Sequence, residues 1–323
     1  MTNQLRPKPL PLAVVIAGPT GAGKSAIALE LAERIGGEIV NYDSVQIYRG
    51  FDIGSAKPTR AEQTRIPHHL IDVIDADEHF SAAVFAARAL DTIAVIQARN
   101  RTPILVGGTG FYLRALLVGL PEMPGRDEAI RARIRSIWGR PGGPDRLFRR
   151  LARIDPVSAS KIAPSDRHRI ERALEVYLLS GRPISSWSRP DPRGPARLLA
   201  IRFAVDLPRM ILNETLDLRV ALMYEKGLVD ETRALLERFD LNCRPFEAIG
   251  YREAVGVVQG RLDQGAAIEE TRRRTRAYAK RQATWLRSET GFAHLDRSQW
   301  PGRNIIDALI DRIEVEKGQE ESR

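Results

Sequence analysis

A single cysteine, Cys243, stands in the 323 residues of this chain. An internal disulfide, a CxxC redox pair and a cysteine-built zinc finger are therefore excluded within one chain, and a reducing, cytosolic setting is expected. Long apolar runs are missing as well. The run Leu10–Ala17 is interrupted by Pro11 and followed by a glycine-rich turn. A membrane span needs about 20 apolar residues, and a secretory leader needs a cleavage site behind its apolar core. No membrane association is expected, and the run reads as a buried first strand. Histidine is scarce, with 5 residues. The adjacent His68 and His69 lack the neighbours a zinc site needs, so they read as structural or loop-organising.

What is present is ordinary for a globular protein: 43% apolar and 28% charged residues, too apolar for a disordered chain. The length suits one large domain or two coupled ones. Charge is distributed unevenly. The formal net of +9 falls as +1 over residues 1–120, +8 over 121–200 and zero over 201–323. A local excess of this kind is what a surface for phosphate backbones needs. Arginine supplies 43 of the 50 basic residues, and such a bias also arises from genome composition or a solvated helix face. Charge alone leaves both readings open.

Strand and helix patterns alternate through the first third. Residues 11–17 read as a buried strand, 25–34 as a helix, 38–40 as a second strand ending at Asn41-Tyr42-Asp43-Ser44, and 69–73 as a third. A long helix over 81–100 precedes a fourth strand, 103–106. This order predicts an α/β fold with a parallel sheet covered on both faces. From Pro121 to about Pro195 no buried strand is legible, and helical stretches alternate with Pro/Gly breaks. Residues 198–205 look like a strand returning to the sheet, and the remainder reads as helical, with an amphipathic helix around 267–288. The expected organisation is a core over 1–120, a mostly helical insertion over 121–197, and completion of the core with C-terminal helices over 198–323.

Gly18-Pro19-Thr20-Gly21-Ala22-Gly23-Lys24-Ser25 fits G-x-x-x-x-G-K-[ST], between an apolar strand and a helix as the mechanism of a phosphate-binding loop requires. Its glycines let backbone N–H groups converge on phosphate oxygens at the positive end of the helix. Lys24 adds a point charge, and the Ser25 hydroxyl suits Mg²⁺. A diphosphate-bearing ligand follows; the reaction does not. Phosphoryl-transfer proteins place a Mg²⁺-holding carboxylate after a later strand, whereas the strongest later strand here runs into Gly107-Gly108-Thr109-Gly110. Asp43 stands instead at the end of the second strand, beside the loop in a doubly wound sheet. Two readings remain on the residues alone: a small-molecule kinase with nucleotide affinity, and a transferase whose leaving group is diphosphate. A non-enzymatic RNA-binding module accounts for the charge but gives Lys24 and Asp43 no task.

At these residues the chain resembles the tRNA dimethylallyltransferases (tRNA isopentenyltransferases). Gly18–Ser25 resembles the family's GPTxxGKS, Asp43–Tyr48 its DSxQxY, Asp52–Pro58 its DIGTAKP, and Pro67–Asp72 its PHHLID. Val106–Gly110 resembles VGGTG, Arg172–Tyr177 RALEVY, Ile249–Glu253 IGYRE, and Lys280–Arg287 KRQxTWFR. The motifs run in order over about residues 12–290. The resemblance implies transfer of a dimethylallyl group from dimethylallyl diphosphate to N6 of the adenosine 3′-adjacent to the anticodon in tRNA, with Mg²⁺ required. It further implies a P-loop α/β core with an inserted helical domain gripping the anticodon stem-loop. A cytoplasmic monomer is expected.

Carried over residue by residue, the resemblance makes Asp43 the base or hydrogen-bond acceptor for N6–H, and Thr109 its partner in positioning base and diphosphate. Gly18, Pro19, Thr20, Gly21, Ala22, Gly23, Lys24 and Ser25 hold the diphosphate, with Ser25 on the metal. Arg219 joins them, although Thr215 replaces a family arginine in the same stretch. Asp43, Ser44, Val45, Gln46 and Thr109 line the base end of the channel, where the Gln46 amide suits an adenine edge. Arg131, Arg167, Arg169 and Arg172 in the insertion, with Gly250, Tyr251, Arg252, Lys280 and Arg281, are the expected tRNA contacts. Ala163 and Ser165 depart from the family His and Asn. Independently, Ile268, Thr271, Thr275, Tyr278, Gln282 and Trp285 form a packing seam, and Arg272, Arg276 and Lys280 a basic ridge on another face.

Overall fold

A computed structural model describes residues 11–187, 197–299 and 303–321. The apolar run becomes β1 (Leu12–Ala17), buried from Ala13 on, as expected of a strand covered on both faces. Next come α1 (Lys24–Ile35), β2 (Gly37–Asn41), α2 (Arg60–Arg65), β3 (His68–His69), α3 (Ala82–Ala98), β4 (Thr102–Val106) and α4 (Gly110–Leu117). The helical stretch holds α5 (Glu128–Trp138), α6 (Gly143–Ile154), α7 (Pro156–Ala159) and α8 (Arg167–Ser180). The chain then forms β5 (Leu199–Asp206), α9 (Arg209–Glu225), α10 (Leu228–Leu236), α11 (Tyr251–Val258), α12 (Gln264–Ser288), β6 (Phe292–Asp296) and α13 (Arg303–Glu321).

All six strands are parallel, in the order β3-β2-β4-β1-β5-β6. The chain divides into two compact units: the described residues up to Leu117 with those from Arg197 on, and those from Val118 to Trp187. In the first unit, α1 turns Ile27, Leu31 and Ala28 onto the sheet, and α13 adds Ile306 and Leu309 to the same core. Each such aliphatic side chain contributes about 1.5–3 kcal/mol on burial. In the second unit, Ile134 of α5, Leu147 and Leu151 of α6, and Ile170 and Leu174 of α8 make a separate core.

Two expectations need correction. The strand over 69–73 shrinks to His68–His69, because Leu70 and Asp72 take positive φ values of 60° and 54°. The Asn41 amide donates to the Leu70 carbonyl at 3.0 Å, and Asp72 pairs with the buried Lys57 ammonium at 2.5 Å, so this segment leaves the ladder to bind side chains. The part after β5 is not purely helical: Phe292–Asp296 pairs with β5 as an edge strand.

Candidate active site

β1 delivers the chain into the loop Gly18–Gly23. Gly18 sits at φ 151°, and a Cβ there would lie 2.4 Å from the Val205 carbonyl oxygen of β5, which only glycine avoids. The following helix opens without a side-chain cap. Among the described residues, the N–H groups of Gly23, Lys24, Ser25 and Ala26 meet no acceptor. Such orphan donors, with the positive helix end, form an anion cradle. Lys24 and Ser25 open on a cavity of about 400 Å³, in the size range of small-molecule sites.

Lys24 is buried, and its Nζ donates to the Pro19 carbonyl at 2.8 Å. Burial and, next, the Arg219 guanidinium push its ammonium down to about 7, against the opposing pull of Asp43. Arg219 reaches in from α9, its Nη1 donating to Thr20 Oγ1 at 3.2 Å. Burial lowers its pKa, and Asp43 again works in the other direction. One carboxylate thus faces two cations across a single cavity.

Asp43 follows β2 and is fixed through several atoms. Its N–H donates to Asn41 Oδ1 at 3.0 Å, and its Oδ1 accepts from the N–H groups of Val45 at 2.8 Å and Gln46 at 3.4 Å. Among the described residues, Oδ2 has no hydrogen-bond partner. One oxygen therefore caps the turn while the other is available to a proton. Thr109 Oγ1 accepts the Ser44 N–H at 3.0 Å and donates to Ser44 Oγ at 3.1 Å. Gly107 and Gly108, not Thr109, reach the cavity wall. Thr109 thus holds the Asp43 turn in place. Ser44, Val45 and Gln46 line the cavity, but Gln46 Nε2 already donates to the Ser55 and Ala56 carbonyls, each at 3.1 Å. It offers a base its carbonyl oxygen rather than a donor–acceptor pair.

Two residues here were not singled out as functional from the sequence. Gln282 of α12 accepts the Thr20 N–H on Oε1 at 2.8 Å and donates from Nε2 to the Gly108 carbonyl at 2.8 Å. One amide joins the phosphate loop to the Gly107–Gly110 turn, and a Cβ on Gly108 would lie 2.4 Å from its nitrogen. Glu231 of α10 accepts from the Ile53 N–H at 2.9 Å and the Tyr251 hydroxyl at 2.6 Å; burial raises its pKa. The Tyr251 oxygen in turn accepts from the Gly54 N–H at 3.1 Å, which fixes the Gly54–Ala56 wall of the cavity. Only the placement of Gln282 on the α12 seam signalled burial; nothing local marked Glu231.

The expected tRNA contacts fall into two groups. Tyr251 is wholly buried, so it braces Gly54 and offers a macromolecule no surface. Gly250, at φ 95°, donates its N–H to Glu253 at 2.8 Å and opens α11. Arg131 and Arg172 are occupied within their own unit: Arg131 grips both oxygens of Glu175 at 2.7 and 2.8 Å, and Arg172 reaches it at 2.6 Å. Burial raises the Glu175 carboxyl, but hydrogen bonds from Arg131, the Asp127 N–H and Arg172 outweigh it and hold the pKa down at about 2. Arg169 is exposed with Asp166 at 3.2 Å, and Arg167 is half-buried. Arg252, Lys280 and Arg281 are exposed. The ridge on α12 is largely neutralised: Arg272 pairs with Glu269 at 2.6 Å and Arg276 with Asp217 at 2.9 Å.

Comparison with known proteins adds an independent line. A family model described as IPP transferase matches residues 46–289. A tRNA dimethylallyltransferase of Anaeromyxobacter sp. strain Fw109-5 is 50% identical over 281 residues, covering 86% of this chain and 92% of that protein. One of Solibacter usitatus is 48% identical over 95% of this chain and 99% of its own. Among solved structures, the full-length tRNA isopentenylpyrophosphate transferase of Bacillus halodurans superposes with a TM-score of 0.70 at 34% identity, covering 97% of this chain and all of that one. A eukaryotic dimethylallyltransferase acting on tRNA superposes with a TM-score of 0.72 at 26% identity, over 93% of this chain and 77% of its own. Agreement at that identity over most of the chain decides the matter: this protein belongs to the IPP transferase family.

Proposed function

We propose that the protein transfers the dimethylallyl group of dimethylallyl diphosphate to N6 of the adenosine 3′-adjacent to the anticodon in tRNA. The observation that carries this reading is the unbonded Oδ2 of Asp43 on the same cavity wall as Lys24, Ser25 and Arg219. Adenine N6 is a weak nucleophile because its lone pair is shared with the ring. The reaction therefore needs a good leaving group on one side and a proton acceptor on the other. The bond from the allylic carbon to the diphosphate oxygen breaks, and its electron pair leaves with the diphosphate. The N6 lone pair forms the new C–N bond, and the N6 proton passes to Asp43 Oδ2. Lys24, Arg219 and the orphan N–H groups stabilise the negative charge as it develops. With its pKa near 7, Lys24 regains a full charge as the anion arrives.

Mg²⁺ fits this donor set. Ser25 is exposed on the cavity wall, its hydroxyl without a partner among the described residues. Among them, no group of three His, Cys, Asp or Glu could cage an ion. Mg²⁺ is suited by a single protein oxygen together with phosphate and water oxygens, and Ser25 would hold it. Bound there, the ion supplies charge neutralisation to the diphosphate.

On the RNA side, the target base must leave its stack to enter the cavity, at a cost of a few kcal/mol. Ser44, Val45 and the Gln46 carbonyl form its walls, while Arg167, Arg169, Arg252, Lys280 and Arg281 serve phosphates. In this reading the protein works as a monomer in the cytoplasm; among the described residues no helix is long and apolar enough to cross a membrane. The test is incubation with radiolabelled dimethylallyl diphosphate, Mg²⁺ and unmodified tRNA, followed by nucleoside analysis. Label on the N6 of that adenosine is expected. Absence of transfer, with ATP turned over on a small metabolite, would favour the kinase instead.

A further inference from the structure

The net +8 of residues 121–200 is not carried by the arginines that the motifs pick out. Of these, Arg131 and Arg172 lie on Glu175 and Arg169 on Asp166; Arg126 and Arg135, outside the motifs, lie on Glu128. Four of the basic residues left without an ion pair stand together on α6. Arg146, Arg149, Arg150 and Arg153 follow one another at intervals of three, one and three, which puts them within an arc of about 100° at 3.6 residues per turn. All four are exposed. Among the described residues none of them makes an ion pair, and the one hydrogen bond is from Arg149 Nε to the Asp145 backbone carbonyl at 3.3 Å.

The other side of α6 fixes this face outward, because Leu147 and Leu151 are buried in the core of the helical unit. The four guanidinium groups border a groove of about 390 Å³ whose remaining lining is aliphatic, with no acidic residue. Arginine stems lying along an aliphatic floor keep their heads in water and restrict their movement. Four like charges held together repel one another, and a chain of phosphates relieves that repulsion. Guanidinium forks also match phosphate oxygens in pairs. A lipid surface fits less well, since an interfacial helix inserts an apolar face and that of α6 is already buried.

We propose that the arginine face of α6 is a contact surface for the phosphate backbone of the RNA substrate, adding affinity without reading sequence. The inference rests on the tRNA reading above; none of these residues lines the reaction cavity. The test is filter binding of unmodified tRNA, without dimethylallyl diphosphate, at several salt concentrations, with wild type, R146Q/R149Q/R150Q/R153Q and the matching quadruple lysine variant. The glutamine variant is expected to bind at least tenfold more weakly near physiological salt, with a plot of log affinity against log salt shallower by roughly three. The lysine variant keeps the slope, and in turnover the loss falls on KM for tRNA rather than on kcat. Unchanged affinity and slope in the glutamine variant would overturn the proposal. So would loss of binding to anionic vesicles with tRNA binding intact. Should the quadruple variant melt early, R146Q/R153Q is expected to show half the slope change, and an unchanged slope there is equally fatal. Because binding is read without the prenyl donor, a wild type that binds tRNA but transfers nothing sinks the reaction and leaves this surface standing.

Discussion

In the α/β unit, Lys24 and Arg219 are withdrawn from water around one cavity, with Asp43 as their countercharge. On α6, four arginines stand in water around a groove that no carboxylate lines. Between these extremes, Arg131 and Arg172 are locked on Glu175. The same kind of charge serves three purposes because its surroundings differ. In a low-dielectric cavity a cation is strong and its proton is labile, which suits one small, highly charged leaving group. In water it is screened and individually weak, and many must add along a polymer. Paired with a buried carboxylate, it is a structural part.

Asp43→Ala offers the hardest test of that contrast. It removes the proton acceptor, so kcat should fall at least a thousandfold while filter binding shows tRNA held as before. Loss of tRNA binding would reassign Asp43 to folding. Lys24→Met should lower kcat/KM by roughly a hundred- to a thousandfold, read in single-turnover transfer, with tRNA affinity untouched. Glu175→Gln should destabilise the helical unit by about 3 kcal/mol, since it leaves Arg131 and Arg172 without their buried partner. Chemical denaturation would show this as an earlier transition. The depressed Glu175 pKa adds a pH signature: its contribution is complete above its ordinary value and disappears as pH falls toward 2.

Lys24, whose folded pKa is also lowered, supplies a second signature of the same sign in a higher window, stability rising with pH between about 7 and its ordinary value. Between pH 7 and its ordinary 10.5 the folded protein has released a proton that the unfolded chain keeps. Anion binding takes that proton back. Affinity for inorganic pyrophosphate should therefore fall by up to about tenfold per pH unit above 7, and calorimetry in buffers of different ionisation enthalpy should register proton uptake; no uptake would mean that Lys24 is already charged. The smallest effect is expected from Gln282→Leu, which leaves the Thr20 N–H and the Gly108 carbonyl unpaired. Transfer should drop about tenfold and the melting temperature by a few degrees.

The phosphate loop was legible because its whole mechanism lies in eight consecutive residues between a strand and a helix. The parallel core was legible from the alternation of patterns. β6 was not: it is five residues long and only half-buried, so its composition carries little apolar signal. The failure of the strand over 69–73 was hidden as well, because side chains elsewhere, Asn41 and Lys57, decide it. In the site, Lys24, Ser25, Asp43 and Arg219 were brought to one cavity, whereas Gln282 was read only as a packing residue and Glu231 not at all, since the Thr20 and Ile53 N–H groups they bind lie 262 and 178 residues away. The spacing of Arg146, Arg149, Arg150 and Arg153 was visible all along. Their lack of carboxylate partners was not, because pairing depends on how neighbouring helices pack.

The amide of Gln282 has a consequence for how the protein is made. The phosphate loop leaves the ribosome before its partner, and the bond that fastens it to the Gly107–Gly110 turn waits for a side chain encoded 262 codons after Thr20. A polypeptide released before that codon lacks this fastening, so prematurely terminated products should be poor at consuming the cell's isoprenoid supply.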